Sequence, residues 1–170
     1  MATAIIFMFL NAFLPLNFSF QAEATKYPFK LAISLEKTTF KLGEPVNITW
    51  TLTNVGEENV VLYNSRDDPP DFLIVDENFI HIFRYRSYVG VLQVIYPIAR
   101  IAPGDEISIK GTWKQIYDNQ FMTLPSPYYV SGYSWSPRKV PQGTYYVSGI
   151  FSSATYDVII ETPVIRITIL

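Results

Sequence analysis

His81 is the only histidine in the chain, so any Ser-His-Asp relay would have to be built on it. The alternation of Ile80, His81 and Ile82 sets its ring on the polar side of a strand. No Gly-x-Ser-x-Gly elbow accompanies it, and we read it as an exposed strand histidine rather than a catalytic base. Asp67, Asp68, Asp71 and Asp76, with Glu77, gather carboxylate oxygens of the kind that hold Ca²⁺, on a stretch stiffened by Pro69 and Pro70. Their spacing matches no calcium loop, and a solvated acidic turn is the reading that remains. The chain has no cysteine, which excludes a thiolate nucleophile, a disulfide framework and thiolate metal sites. The expectation is a protein with no catalytic residues, metal or cofactor of its own.

The residues with the strongest claim on a partner are aromatic. Between Tyr117 and Pro141 the sequence carries Pro125, Pro127, Pro137 and Pro141 together with Tyr128, Tyr129, Tyr133 and Trp135. A proline-rich connection of this length exceeds an ordinary hairpin loop, and such loops tend to carry function. Tyr and Trp offer apolar area with a polar tip at small entropic cost, which suits a protein interface or a glycan surface. Packing of the segment over its own domain is the third reading. Asn47-Ile48-Thr49 is an N-glycosylation triplet, although it falls inside an expected strand and such triplets also arise by chance.

The elements that must position these residues are strands. Val46, Ile48, Trp50 and Leu52 point one way while Asn47, Thr49, Thr51 and Thr53 point the other, after a Gly43-Glu44-Pro45 turn. Further strands are expected over Phe29–Glu36, Asn59–Tyr63, Phe72–Val75, Ile80–Tyr85, Val91–Tyr96, Ile107–Trp113, Gly143–Phe151 and Ile165–Ile169. The Gly56-Glu57-Glu58 turn predicts a hairpin between the strands on either side of it, and Asp76-Glu77-Asn78 predicts another. The Ile107–Trp113 strand is expected to be the longest. Eight or nine short strands at this spacing define an all-β, Ig-like antiparallel sandwich.

Ahead of that sandwich, residues 1–24 read as a separate segment. Ala4 to Leu10 is a solid apolar block, Ala12 to Leu16 extends it, and Ala22-Glu23-Ala24 supplies small residues at the spacing of a signal-peptidase site. The first cationic side chain is Lys26, so the basic opening of a secretory signal is missing. We expect a signal cleaved after Ala24 or an uncleaved N-terminal anchor, with residues 25–170 as one domain and secretion or cell-surface display as the location. Any contact with the membrane would be through that segment alone. Residues 25–170 are numerous enough to bury a core without cross-links. A formal net charge of −2 leaves no basic footprint for nucleic acid.

Six motifs in order then carry a resemblance: Leu42-Gly43-Glu44-Pro45-Val46, Leu52-Thr53-Asn54, Asp71 to Asp76, Ile101 to Glu106, Trp113, and Pro141 to Gly149. Together they resemble the intracellular proteinase inhibitor (BsuPI) domain over about residues 30–170. The resemblance implies an Ig-like sandwich that binds without reacting, blocking a subtilisin-type serine protease with a rigid loop. Tyr128, Tyr129, Tyr133 and Trp135 are the anchors expected for that loop. The aromatic insertion and the export segment depart from the family pattern. They point to the alternative partners, a cell-envelope protein or glycan met by a surface adhesion or accessory module. A structural domain that pairs through a sheet edge is a further alternative.

Overall fold

In the computed structural model, which describes residues 20–63, 71–85, 97–117 and 138–170, the alternation at 46–54 becomes a strand with one face sealed. Val46, Ile48, Trp50 and Leu52 are buried there, while Asn47 is exposed. Each such apolar side chain contributes roughly 1.5–3 kcal/mol when withdrawn from water, which fixes the register of the strand against a one-residue slip.

The described residues form twelve strands: β1 (Phe20–Lys26), β2 (Phe29–Leu35), β3 (Thr39–Phe40), β4 (Val46–Asn54), β5 (Val60–Tyr63), β6 (Asp71–Asp76), β7 (His81–Arg84), β8 (Pro97–Ile101), β9 (Glu106–Trp113), β10 (Gly143–Ser153), β11 (Val158–Glu161) and β12 (Ile165–Ile169). One sheet runs β1-β2-β4-β9 and the other β3-β12-β10-β6-β7, with β11 also pairing β10; β5 and β8 form a separate ribbon. Pairing is antiparallel except between β3 and β12. The early chain thus divides between sheets, β2 joining one and β3 closing the other beside the last strand. This is the immunoglobulin-like order, and the fold is an all-β sandwich with more strands than the eight or nine expected. Trp50, Trp113, Phe29, Phe72 and Phe151 are the bulkiest fully buried side chains. Phe29 meets Phe151 edge to face at 5.0 Å.

In the full chain residues 20–24 lie within β1, which pairs along its whole length with β2. Ala22 and Ala24, the small residues of the peptidase-like triplet, stand opposite Ile33 and Leu31 and pack onto the core. Two expectations are corrected. The strand after Gly56 does not form a hairpin with β4, because β4 is flanked by β2 and β9 while β5 pairs β8. Finally, β10 at 11 residues is longer than β9 at 8. The expected strand over 91–96 lies outside the described residues.

Asn54 explains why the chain leaves the first sheet at that point. Its side chain, fully buried, donates from Nδ2 to the carbonyls of Glu58 and Ile101 and accepts the Gly56 amide on Oδ1. Its own amide donates to Asp105 and its carbonyl accepts from Gly104. One residue therefore caps the turn after β4 and ties it to the β8–β9 connection. Gly104, at φ 82, takes a conformation that a side chain would strain. Asn54→Asp replaces the two donors with acceptors facing carbonyls, so it should cost about 3 kcal/mol at neutral pH. The buried carboxyl would have a raised pKa, so the penalty is full at neutral pH and recedes as pH falls through that pKa. Urea unfolding of both proteins between pH 4 and 7 checks the size and the direction.

Candidate functional site

Strand order and register bring the 41–44 turn, the end of β9, the start of β10, the β6–β7 turn and the last residues of β12 to one end of the sandwich. The aromatic insertion leaves from this end. Tyr128, Tyr129, Tyr133 and Trp135 lie outside the described residues, but the stem that carries them is described. Ile116 and Lys139 form a bridge, the Tyr117 amide donates to the Arg138 carbonyl, and the Val140 amide donates to the Gln115 carbonyl. The Arg138 guanidinium sits 5.3 Å from the centre of the Tyr117 ring. Beneath the stem the Trp113 indole donates to the Ile116 carbonyl at 2.9 Å.

Gln115 locks this stem to the neighbouring turn. Almost fully buried, it accepts the Gly43 amide on Oε1 and donates from Nε2 to the carbonyls of Lys41 and Glu44. It does so at φ 56, a left-handed conformation that costs a residue with a side chain about 1–2 kcal/mol. The Glu44 carboxylate is held below its usual range by a hydrogen bond from the Lys37 ammonium, and further by the Lys41 amide.

Tyr145 supplies the second lock. Its hydroxyl donates to the Pro141 carbonyl four residues earlier at 2.8 Å, and its ring meets Trp113 edge to face at 5.4 Å. This is the tyrosine corner of immunoglobulin-like domains, set at the start of β10. Burial pushes the phenol up to about 12, with Tyr117, Asp76 and Glu77 adding to the cost of a phenolate.

The β6–β7 turn displays what sequence reasoning missed. Asp76 Oδ1 accepts the amides of Asn78 and Ile80, and the Asp76 carbonyl accepts the amide of Phe79. Phe79 occupies the left-handed position, φ 59, which Gly or Asn fills at far lower cost. Its ring stacks on Tyr146 at 5.3 Å and 7° yet stays 68% exposed. Ile80, expected to open a strand, is 60% exposed in the turn instead. Leu42 and Leu170 are exposed at the same end of the sandwich. The available signal was a turn with no glycine at its third position.

The other sequence candidates are dispersed. His81 begins β7 opposite Val75 and is half-buried. Asp71 and Asp76 stand at the two ends of β6, so they cannot share a calcium ion; Asp71 is buried against the Arg84 guanidinium at 2.6 Å, and Asp76 is engaged in its turn. Asp67 and Asp68 lie outside the described residues. Among the described residues, no three His, Asp or Glu side chains are placed to hold a metal.

No protein family and no curated protein matches the sequence. Several solved structures align with most of the chain at low identity. They include the C-terminal domain of wzt (TM-score 0.49, 9% identity, covering 89% of this chain and 78% of that one). A Pyrococcus furiosus CARDB domain solved with di-metal ions aligns at TM-score 0.41 and 8% identity, over 92% and 93% of the two chains. A β-glucosidase from Listeria innocua in complex with glucose aligns at TM-score 0.42 and 12% identity, over 83% of this chain; the chain spans 16% of that enzyme's length. No residue role is transferred from such distant neighbours. The class that the fold defines is an all-β sandwich, here with one end built up around Gln115, Tyr145 and Phe79.

The Tyr145 phenol makes this end sensitive to alkali. Below pH 10 the phenol is neutral whether the chain is folded or not, and the shift contributes nothing. Between about 10 and 12 the unfolded chain ionises first, so stability should fall, by on the order of 2 kcal/mol across that window. Tyr145→Phe should lose about 1 kcal/mol at pH 7 through the missing corner bond and show a flatter decline above pH 10. Urea midpoints from pH 8 to 12 separate the two effects.

Proposed function

We propose that this chain is a non-enzymatic binding domain that takes a protein partner at the loop end of its sandwich. The observation that carries the proposal is Phe79, a bulky residue held in a strained conformation with its ring largely in water. Strain of about 1–2 kcal/mol with so little burial in return is most readily explained by contact with something outside the chain. Ile80, Leu42 and Leu170 add exposed apolar surface at the same end, and the insertion stem is clamped by Gln115. A partner would meet a surface that is already ordered, which lowers the entropic cost of binding.

The resemblance of the turn and strand motifs to BsuPI domains suggests a subtilisin-type serine protease as that partner. Prolines in the insertion would keep it from settling into a cleavable pose, with Tyr128, Tyr129, Tyr133 and Trp135 as anchors. The alternative is an exported adhesion or accessory module with the same contact surface and no inhibitory activity. Export remains part of both readings. Because β1 completes the first sheet, the apolar segment ahead of it is best read as an anchor or as a leader removed before Phe20.

Titration of the full chain against subtilisin-type and trypsin-type proteases, following residual activity and chain integrity, tests the first reading. Stoichiometric inhibition with the chain intact supports it, and full protease activity at excess chain moves the weight to the accessory module. Phe79→Gly tests the site itself. Relief of backbone strain should raise stability by about 1 kcal/mol, while affinity for an inhibited protease should fall at least tenfold. A stabilised variant that still inhibits fully would remove Phe79 from the contact surface.

A further inference from the structure

The outer face of the first sheet holds a feature that the loop end does not use. Strand alternation puts Asn47 and Thr49 on this face, two residues apart, with Ile48 buried between them. They are the outer members of the Asn47-Ile48-Thr49 triplet. Asn47 is exposed even though β4 is an inner strand, because its side chain points away from the core. Its two polar atoms are used differently. Oδ1 accepts a hydrogen bond from the Thr112 hydroxyl at 2.9 Å, whereas no described residue engages Nδ2. Beside it runs a groove of about 330 Å³ whose walls include Ser34, Glu36, Thr49, Lys110 and Thr112. Leu35 and Ile48 line it as well, so apolar surface lies beside hydroxyl, carboxylate and ammonium groups that can meet the hydroxyls and amide of a sugar.

We propose that Asn47 is an N-glycosylation site whose first N-acetylglucosamine residue lies along this groove. The donor would be an oligosaccharide linked to a lipid diphosphate. Asn47 Nδ2 bonds to the anomeric carbon, the bond from that carbon to the diphosphate oxygen breaks, the lipid diphosphate leaves, and a base takes one proton from Nδ2. No oxidation or reduction is involved. The product keeps Oδ1 free to accept from Thr112, so the folded sheet needs no rearrangement to carry it. Glycosylation precedes folding, and what the fold decides is tolerance of the product, which an inward-facing asparagine would not allow. A glycan here would cover the outer face of the first sheet beside the loop end, because Asn47 pairs with Thr112 one residue before β9 ends.

The inference rests on the export reading, and the experiment must separate the two. The full chain, carrying an added reporter triplet after Leu170, is expressed in a eukaryotic secretory cell line beside its Asn47→Gln variant. Peptide mapping follows enzymatic release of N-glycans, which converts a modified asparagine to aspartate. The other such triplet, Asn17-Phe18-Ser19, is mapped separately. We expect Asn47 converted in soluble, folded chain, one glycan fewer in the variant, and an unfolding midpoint no lower with the glycan than after its release. A modified reporter with Asn47 unconverted would overturn the site, as would an Asn47 glycan confined to aggregated chain. An unmodified reporter would instead overturn export, and a cleavable leader placed ahead of Met1 then brings the chain to the transferase so that Asn47 is still tested.

Discussion

A buried carboxamide hydrogen-bonded to main chain closes each end of this sandwich. Two sheets pressed face to face satisfy their own backbone groups along the strands, but not where the chain turns between them, and unpaired polar groups there are costly. With no cysteine to clamp the layers, Asn54 supplies the bonds at one end and Gln115 at the other. An amide suits the task because it donates and accepts at once without carrying charge into the core. The position of β5, the departure of the insertion and the shape of the 41–44 turn all follow from these contacts.

The loop end holds several departures from local rules. Gln115 and Phe79 both adopt left-handed conformations that glycine would take at lower cost, and Tyr145 is buried with a hydroxyl that must find a partner. Gln115 recovers its cost in three side-chain hydrogen bonds, and Tyr145 in the bond to Pro141. Among the described residues, the Phe79 side chain has only its stacking on Tyr146 in return. Natural sequences keep such local conflicts mainly where function asks for them, which separates Phe79 from the exposed apolar residues scattered elsewhere. The outer face of the first sheet is different in kind, since its polar side chains follow the pleat without strain.

Legibility varied with the range of the interaction. The strand at 46–54 was plain because one sealed face imposes period two on nine residues. The β6–β7 hairpin was plain because Asp76 makes its turn from neighbours in sequence. β1 was hidden by its alanines: Ala22 and Ala24 are small where the strand packs onto the core, and a run of small residues after an apolar block reads equally as a processing site. The short strands β3 and β11 carried too few residues for any periodicity to appear. The acidic group failed as a cluster because a strand of six residues holds Asp71 and Asp76 apart at its two ends.

By itself, the sequence determined the fold class, the face that buries Trp50, the turn at Gly43 and the absence of any thiol chemistry. These depend on alternation, backbone preference and composition, which are properties of neighbouring residues. Only the tertiary structure decided that Gln115 reaches Gly43 and Lys41, and that Phe79 stands exposed against Tyr146. It also set Asn47 beside Thr112 and placed residues 20–24 within the sheet. Each of these joins residues distant along the chain, or in Phe79's case relies on a distant ring for support, and pairing between strands sets them side by side at a register that no local pattern encodes.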